Sequence, residues 1–253
     1  MTLLASDNNI SNLLLGDCLE LHHTIEDNTV DMVLCDLPYG TTACKWDSII
    51  PLDKLWKQYN RICKQDGAMV FTAAQPFTTV LASSNIKNFK YEWIWEKPQG
   101  TNPMNAKVMP LKSHENILVF YRKKPTYNPQ MWYSTPYSGF KSDTAKIGEV
   151  YGEAQSKHRD NPEGSRYPKT ILKYKQEKGL HPTQKPVGLM EYLIKTYTNK
   201  GDTVLDSTMG SGTTGLACAN TDRNFIGIES SPKYYQVAKD RIGSLSNPLT
   251  ELF

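Results

Sequence analysis

The feature that most constrains the fold is a short apolar segment that ends abruptly in an acid, a proline and a glycine. Residues 31–36 contain three consecutive large apolar side chains, and the proline and glycine follow within four residues. An uninterrupted apolar run of this length is typical of a parallel strand buried on both faces, and proline and glycine end it. Asp36 and Tyr39 are therefore predicted at the carboxyl end of a strand, where open α/β sheets bind ligands.

Similar units recur along the chain. Further strands are predicted at residues 12–15, 68–72, 91–95, 116–121, 203–205 and 225–228. Helical spacing or helix-start signals predict helices at residues 18–25, 52–62, 75–84, 187–194, 216–220 and 232–242. This alternation predicts an α/β fold with a mostly parallel sheet and helices on both faces. A chain of 253 residues can form one such domain, with or without a smaller insertion.

Composition argues against several classes of protein. No apolar run approaches the roughly 18 residues of a membrane helix, and no basic segment precedes an apolar core at the N-terminus. We therefore expect a cytoplasmic protein with no membrane partner. The five cysteines are scattered without a C-x-x-C pair, and the five histidines do not fall at ligand spacings. Neither a disulfide framework nor a metal site is predicted.

Charge is concentrated in one region. Residues 122–185 hold 13 lysines and arginines against six acidic residues, whereas the other 189 residues hold 16 against 20. Many tyrosines interleave with these cations, and residues 122–179 show no clear helix or strand period. Cations that meet phosphates and rings that stack or wedge suit nucleic acid, although a long tolerant insertion is the alternative.

This pattern predicts three segments. Residues 1–121 and 181–253 form the two halves of one domain, and residues 122–180 form an inserted basic and aromatic region. Residues 41–50, which follow the acidic turn, are predicted to form a mobile loop over the site or a plain surface connection. The candidate nucleic-acid contacts are Trp46, Lys141, Lys146, Lys157, Arg159, Arg166 and Lys169.

The acidic turn suits a particular acceptor. A carboxylate accepts hydrogen bonds from N–H groups and a phenol ring stacks, so Asp36 and Tyr39 together suit a flat heterocycle with an exocyclic amine. A turn with a solvated aspartate and a half-buried tyrosine is the alternative. Cys35 ends the apolar strand, where a small buried thiol is the common occupant.

A second group of residues lies near the C-terminus. A predicted strand ends at Asp206, a turn containing Gly210 and Gly212 leads into a helix, and the next strand ends at Glu229. Glycines let the backbone approach a ligand closely, and a carboxylate after the following strand can bind both hydroxyls of a ribose. A nicotinamide dehydrogenase competes with this interpretation, because residues 210–215 match G-x-G-x-x-G.

Two features weigh against the dehydrogenase. Only 24 residues follow Glu229, too few for a second dinucleotide-binding half. Asp206 stands between the strand and the glycines, where it would meet a positively charged amino-acid group rather than a pyrophosphate. The two groups together predict a nucleoside sulfonium donor that faces an aromatic amine acceptor.

Three motifs resemble the amino-methyltransferases that use S-adenosylmethionine to methylate adenine N6 or cytosine N4 in DNA. Residues 36–39 are similar to the family's catalytic D-P-P-Y turn, residues 206–214 to its D-x-x-x-G-S-G-T-T donor loop, and residues 181–186 to its H-P-T-x-K-P segment. A catalytic turn, a variable region and then a donor loop is the order of the family's β group. The resemblance implies a Rossmann-like S-adenosylmethionine-dependent methyltransferase fold, circularly permuted, with an inserted target-recognition region.

By this resemblance, the catalytic residues are Asp36, Leu37, Pro38 and Tyr39. Leu37 departs from the family, which has proline there. Leucine keeps the backbone carbonyl that would accept a hydrogen bond from the target amine, but it frees φ and restores an N–H. We expect activity to be retained, with less rigidity in the turn.

The resemblance also implies a donor site. Its residues are Asp17, Thr183, Lys185, Asp206, Thr208, Gly210, Ser211, Gly212, Thr213 and Glu229. Glu229 would bind the ribose, residues 210–213 would form a backbone cradle, and Asp206 with Lys185 and Thr183 would contact the methionine end. Asp17 would bind the adenine amine, although a helix cap is the alternative for it.

The expected activity is methylation of adenine N6 in double-stranded DNA by base flipping and direct displacement. Adenine is favoured because the family's cytosine members more often carry serine at the position of Asp36. Alternatives are an N4-cytosine enzyme, an RNA or protein methyltransferase of the same fold, and a catalytically idle nucleic-acid binder. The sequence leaves open a homodimer, a cognate restriction endonuclease, and a prokaryotic or phage origin.

Overall fold

The computed structural model describes residues 2–5, 10–41, 47–140, 158–177, 179–180 and 183–244. The chain divides into two compact units. The larger comprises Met1–Asn128 and Thr170–Phe253, and the smaller comprises Pro129–Lys169.

Strands and helices alternate through most of the larger unit. Its strands are β1 (Thr2–Ala5), β2 (Ile10–Leu15), β3 (Val30–Asp36), β4 (Cys63–Ala73), β5 (Phe89–Thr101), β6 (Lys112–Phe120), β11 (Ile171–Lys173), β12 (Thr203–Asp206) and β13 (Asn224–Glu229). Its α-helices are α1 (Cys18–Leu21), α2 (Leu52–Ile62), α3 (Phe77–Ser84), α4 (Val187–Tyr197), α5 (Thr213–Asn220) and α6 (Pro232–Gly243). Every strand and helix predicted above has a counterpart here. No helix among the described residues is long and apolar enough to cross a membrane.

The described strands of the larger unit form one nine-stranded sheet in the order β1-β2-β13-β12-β3-β4-β6-β5-β11. β1 and β6 run against the other strands. The antiparallel course of β6 departs from the predicted strand–helix alternation. No α-helix separates it from β5, so the chain returns as a hairpin instead of crossing over.

Side-chain alternation along the central strands builds a core on each face of the sheet. In β3, Met32 and Leu34 join one core, whereas Val33 and Cys35 join the other. Successive side chains of a strand point to opposite faces, so an uninterrupted apolar run needs a cover on both sides. Helices α4, α5 and α6 contribute to the first core, and α1, α2 and α3 contribute to the second. The parallel strands of a sheet covered in this way end together at one edge.

Three of the described tryptophans are buried, with Trp93 and Trp95 in the first core and Trp56 in the second. β11, residues 171–173, lies within the predicted insertion yet pairs with β5 in parallel as an edge strand of the sheet. The smaller unit holds β7 (Trp132–Tyr133), β8 (Tyr137–Phe140), β9 (His158–Asn161) and β10 (Ser165–Arg166). β7 pairs with β10 and β8 with β9, both antiparallel. The predicted domain boundaries at residues 122 and 180 stay a prediction.

Burial in the first core generates a stability prediction. Leu34 is fully buried in β3, so Leu34→Ala should lower the free energy of unfolding by about 2–5 kcal/mol through lost transfer energy and a residual cavity. Urea denaturation measures the change. Ile86→Ala is the control: this side chain is 67% exposed, and its truncation should change stability by less than about 0.5 kcal/mol. Equal effects of the two substitutions would contradict the assignment of β3 to the core.

Candidate active site

A cavity of about 610 Å³ lies at the edge of the sheet where β2, β3, β12 and β13 end. Its lining includes acidic residues that end or follow these strands, namely Asp17, Asp36, Asp206 and Glu229. Because β6 is antiparallel, its N-terminal end lies at this edge and adds Glu115 to the lining. The volume falls in the usual range of small-molecule sites, roughly 300–1,000 Å³.

The carboxylate of Asp36 is held by three donors. Its Oδ1 accepts hydrogen bonds from the Tyr39 hydroxyl at 2.7 Å and from the Thr72 hydroxyl. Its Oδ2 accepts one from Lys185 Nζ at 2.5 Å. These bonds fix the orientation of the carboxylate at the carboxyl end of β3. The sequence-predicted pair Asp36 and Tyr39 therefore forms a direct contact in the cavity.

The ring of Tyr39 is stacked on Phe77, with centroids 5.3 Å apart and planes 20° from parallel. Burial and the nearby Asp36 carboxylate raise the pKa of the Tyr39 phenol well above its usual value. The phenol therefore stays protonated and donates to Asp36. A ring that is backed by a second ring and tied through its hydroxyl is a rigid aromatic surface.

The turn is held without the family proline. Leu37 is only 3% exposed and packs in the second core. The backbone carbonyl of Asp36 accepts a hydrogen bond from Thr208 Oγ1 at 3.0 Å, which ties the turn to the loop after β12. Side-chain burial and this cross-link restrain the backbone where proline would otherwise restrict φ. Pro38 also lines the cavity.

Lys185 contacts the turn of residues 36–39. Its ammonium is buried, 2.5 Å from Asp36 Oδ2 and 3.5 Å from Glu115 Oε2. Burial alone would lower the pKa of Lys185, but the two carboxylates outweigh it and raise that pKa. The carbonyl of Thr183 lies 3.4 Å from the same nitrogen. Thr183 also lines the cavity.

The sequence did not single out Lys97 and Glu115. Lys97 Nζ donates to Glu115 Oε1 at 2.5 Å, so charges of alternating sign run from Asp36 through Lys185 and Glu115 to Lys97. Burial raises the pKa of Glu115, but Lys185 and Lys97 together lower it below its usual value. The sequence signal that could have identified them is a charged residue next to each predicted strand, Lys97 after residues 91–95 and Glu115 before residues 116–121. Only the pairing of β5 with β6 brings these charges together.

Asp206 is almost fully buried at the end of β12. Its Oδ2 accepts a hydrogen bond from Thr214 Oγ1 at 2.6 Å, and its Oδ1 accepts one from Thr208 N at 3.1 Å. Burial raises the pKa of Asp206 to about 7, although these hydrogen bonds oppose the rise. A cation in the cavity would favour the ionised form of this carboxyl group.

The loop after Asp206 passes close to α6. Gly210 and Gly212 have φ values of 52° and 75°, in the left-handed region that favours glycine. A Cβ on Gly212 would lie 2.9 Å from the Cβ of Ala238. Arg241 Nη1 donates to the hydroxyl of Thr213 at 3.0 Å and to the carbonyl of Ser211 at 3.3 Å. Packing on α6 thus fixes the turn that carries the predicted backbone cradle.

Glu229 and Asp17 complete the lining. Glu229 accepts hydrogen bonds from Gly210 N at 2.9 Å and from Ser231 N at 2.7 Å, while burial raises its pKa. Asp17 Oδ1 caps α1 by accepting a hydrogen bond from Leu19 N at 2.7 Å. The capping alternative is thus observed for Asp17, and its side chain still lines the cavity.

The hydrogen-bonding groups and charges of these residues fit a nucleoside that carries an amino-acid group. Carboxylate oxygens of Glu229 suit hydroxyl donors, and the buried Asp206 suits a cation.

The predicted nucleic-acid contacts lie mostly in the smaller unit. In that unit Arg166 lies over the ring of Tyr137 at 4.8 Å, and Lys169 Nζ lies 5.9 Å from the ring centre of Trp132. Arg159 is part of β9, but its side chain lies outside the described part of the chain. Trp46, Lys141, Lys146 and Lys157 also lie outside the described residues, as do residues 42–46 of the predicted loop at residues 41–50 and His181 and Pro182 of the predicted H-P-T-x-K-P segment.

A family model for N6 and N4 methyltransferases, described as DNA methylase, matches residues 30–240. This chain belongs to that family. The resemblance stated from the three motifs is confirmed, and with it the prediction of S-adenosylmethionine as the cofactor.

Individual relatives match over nearly the whole chain. The type II methyltransferase M2.DpnII of Streptococcus pneumoniae is 43% identical across 91% of this chain and 88% of its own. The type II methyltransferase M2.MboI of Moraxella bovis is 27% identical across 98% of this chain and 93% of its own. Both relatives come from bacteria.

Solved structures agree with the predicted fold class. M1.HpyAVI, solved as a complex with SAM, is 28% identical and superposes with a TM-score of 0.62, covering 92% of this chain and 98% of that one. The cytosine-N4-specific PvuII DNA methyltransferase superposes with a TM-score of 0.70, covering 98% and 89%. At 16% identity the PvuII comparison shows the fold alone. The predicted Rossmann-like methyltransferase fold is confirmed.

Burial of Asp206 predicts a dependence of stability on pH. The folded protein holds a proton on this group up to about pH 7, whereas the unfolded chain loses it near 3.8. The stabilisation from Asp206 is therefore fully present below 3.8 and is lost as pH rises through about 7. Asp206→Asn should flatten this part of the pH dependence in urea denaturation of the donor-free protein, whereas Asp66→Asn, at an exposed position, should leave it intact. An unchanged slope in Asp206→Asn would contradict the assignment.

Proposed function

We propose that this protein is a DNA methyltransferase that transfers a methyl group from S-adenosylmethionine to the N6 amine of adenine. The observation that carries the proposal is the placement of Asp36 and Tyr39 in the same cavity as the glycine turn, Asp206 and Glu229. A carboxylate that would bind an amine, an aromatic surface and residues that would bind a nucleoside thus line one cavity. Membership of the DNA methylase family supports the reaction class.

The donor would lie against the ends of β12 and β13. Glu229 would accept hydrogen bonds from the ribose hydroxyls, the backbone of residues 210–213 would line the donor, and Asp206 with Thr183 would face its ammonium and carboxylate end. Lys185, also predicted at that end, donates to Asp36 Oδ2 instead. Thr208, which already donates to Asp36, would stand between the donor and the catalytic turn. Bound S-adenosylmethionine supplies an electrophilic methyl group on a sulfonium sulfur.

The acceptor would reach this site by base flipping, because an amine stacked in a duplex cannot enter a cavity at the sheet edge. Tyr39 would stack on the extruded base. Asp36 and the carbonyl of Leu37 would accept hydrogen bonds from the two N–H groups of the amine. This would turn the nitrogen lone pair towards the methyl carbon. The amine nitrogen would take the methyl group while S-adenosylhomocysteine leaves with the electrons of the sulfur–carbon bond, and the methylated amine would lose one proton to solvent. Positioning and electrostatic stabilisation would account for the rate, without a covalent enzyme intermediate.

Asp36 supports adenine over cytosine. By family resemblance, cytosine-specific members more often carry serine at this position. The hydrogen bonds around Asp36 and the stacked Tyr39 also argue against an idle binding protein, because they preserve the orientation that catalysis would need.

The smaller unit would bind the DNA around the target. Among its described residues, the exposed aromatic side chains are Trp132, Tyr133, Tyr137 and Tyr167. Arg166 and Lys169 lie over two of these rings. Cations that can contact phosphates therefore lie beside aromatic rings on which bases can stack. The type II relatives support a role in restriction–modification. A homodimer, a cognate endonuclease and a cytoplasmic location stay predictions.

The decisive experiment measures methyl transfer from labelled S-adenosylmethionine to unmethylated duplex DNA, followed by digestion to nucleosides and mass analysis. We expect N6-methyl-2′-deoxyadenosine as the methylated product. Asp36→Asn should lower the rate by roughly 10²-fold or more, because it loses the charge that holds and polarises the amine. Asp36→Ala should abolish the product.

Asp53→Asn, at an exposed position in α2, is the matched control and should retain the wild-type rate. N4-methylcytosine as the product would overturn the adenine assignment and keep the reaction class. Methylation of RNA alone, or no methylated nucleoside in spite of donor binding, would overturn the DNA substrate.

Donor binding should depend on pH through Asp206. Its pKa of about 7 means that the donor's ammonium must ionise this group on binding at lower pH. Affinity should therefore rise with pH between about 5 and 7, by up to about tenfold per pH unit. Isothermal titration calorimetry with S-adenosylmethionine measures it, and Asp206→Asn should bind more weakly with a flat profile. A flat profile for the wild type would place the ammonium elsewhere.

A further inference from the structure

One oxygen of Glu115 is buried beside the catalytic turn without a hydrogen bond. Among the described residues, no group donates a hydrogen bond to Glu115 Oε2, although Lys185 Nζ lies 3.5 Å away. The other oxygen, Oε1, accepts a hydrogen bond from Lys97 Nζ at 2.5 Å. A buried acceptor without a hydrogen bond costs free energy, and such a group calls for an explanation.

The catalytic carboxylate raises a related difficulty. Asp36 Oδ1 already accepts hydrogen bonds from Tyr39 and Thr72, and its Oδ2 accepts one from Lys185. Of the roughly four acceptor sites of a carboxylate, the one left is on Oδ2, so a target amine that donates there shares this oxygen with the Lys185 ammonium. Lys185 is the donor with a second acceptor within reach, because Glu115 Oε2 lies on its other side.

We propose that Glu115 is a positioning residue that receives the ammonium of Lys185 when the target amine takes its place on Asp36 Oδ2. This inference rests on the proposed function. The shift requires the Nζ–Oε2 distance to shorten by less than 1 Å, from 3.5 Å to an ordinary hydrogen bond of about 2.8 Å. The shift exchanges one hydrogen bond for another, makes and breaks no covalent bond, and leaves the ammonium protonated throughout.

Burial explains why the second acceptor is needed. Lys185 is only 5% exposed, and a buried ammonium that loses its partner carries a large desolvation penalty. Without Glu115, Lys185 could not leave Asp36 except at that cost. The amine would then be kept from the carboxylate, and methyl transfer would slow after both substrates had bound.

Lys97 gives Glu115 a fixed position for this exchange. Lys97 is 6% exposed and lies over the ring of Trp95 at 4.7 Å. Its bond to Oε1 leaves Oε2 directed at Lys185 rather than free to rotate away. Lys97 is thus a second positioning residue, one step further from the reacting amine.

The test is a double-mutant cycle on the full-length protein. Single-turnover methyl transfer to duplex DNA is measured for the wild type, Glu115→Gln, Lys185→Met and the double variant. Glu115→Gln should slow the single-turnover rate on the order of 10²-fold, as expected when a reacting group is held out of place, with donor and DNA Kd values changed less than about threefold. In the Lys185→Met background, where no ammonium has to be received, the same substitution should have little further effect.

Two variants serve as checks. Glu92→Gln is the matched control, because Glu92 lies in β5 and binds Asn116 instead of a buried lysine; it should keep the wild-type rate. Glu115→Asp keeps the negative charge beside Lys97, but its side chain is one methylene shorter and its carboxylate lies further from Lys185. It should slow transfer as Glu115→Gln does, and it replaces Glu115→Gln in the double-mutant cycle if that variant does not fold.

The possible outcomes separate the two proposals. A wild-type protein that transfers no methyl group to DNA would overturn the proposed function and this inference with it. Normal wild-type transfer with an equal rate in Glu115→Gln would overturn the inference alone. The same fractional loss with and without Lys185, or a loss explained by weaker donor binding, would show that Glu115 does not act through Lys185.

Discussion

The structure depends on a parallel sheet that is covered by helices on both faces. Each buried strand satisfies its backbone polar groups within the sheet and places apolar side chains above and below it. Polar chemistry can therefore gather only where the strands end. The acids Asp36, Asp206 and Glu229 all stand at such ends, at the same edge. The cavity follows from this constraint, because the helices leave the strand ends uncovered.

Pairing of β3 with β12 brings the two halves of the site together. Met32 pairs with Val204 and Val33 with Leu205, so the proposed catalytic turn and the proposed donor loop leave adjacent strands side by side. The hydrogen bond from Thr208 to the carbonyl of Asp36 joins residues 172 positions apart in the sequence. A methyl donor and its acceptor must meet within a few ångströms, and adjacent parallel strands supply that proximity without a flexible connection.

Buried charges give the turn its particular character. Asp36, Lys185, Glu115 and Lys97 alternate in sign, and each charge has at least one opposite neighbour. In a low-dielectric setting this arrangement is tolerated only because the charges are paired. A ligand that donates to Asp36 Oδ2 would share that oxygen with Lys185. Under the exchange proposed above, electrostatics and substrate access would be coupled at this site.

The sequence by itself determined the fold class, the family and the cofactor. Apolar runs that end in acids, helical periodicity and three motifs in a fixed order are local patterns, and local patterns survive without knowledge of the fold. Asp36, Tyr39, Asp206 and Glu229 were identified in this way and line one cavity. Tertiary structure alone decided the antiparallel course of β6, the packing of Leu37 in the core and the contact of Lys185 with Asp36. Lys97 and Glu115 could not be found from the sequence, because isolated charges near strand ends carry no local signature. Their role depends on strand register, which is set by long-range pairing.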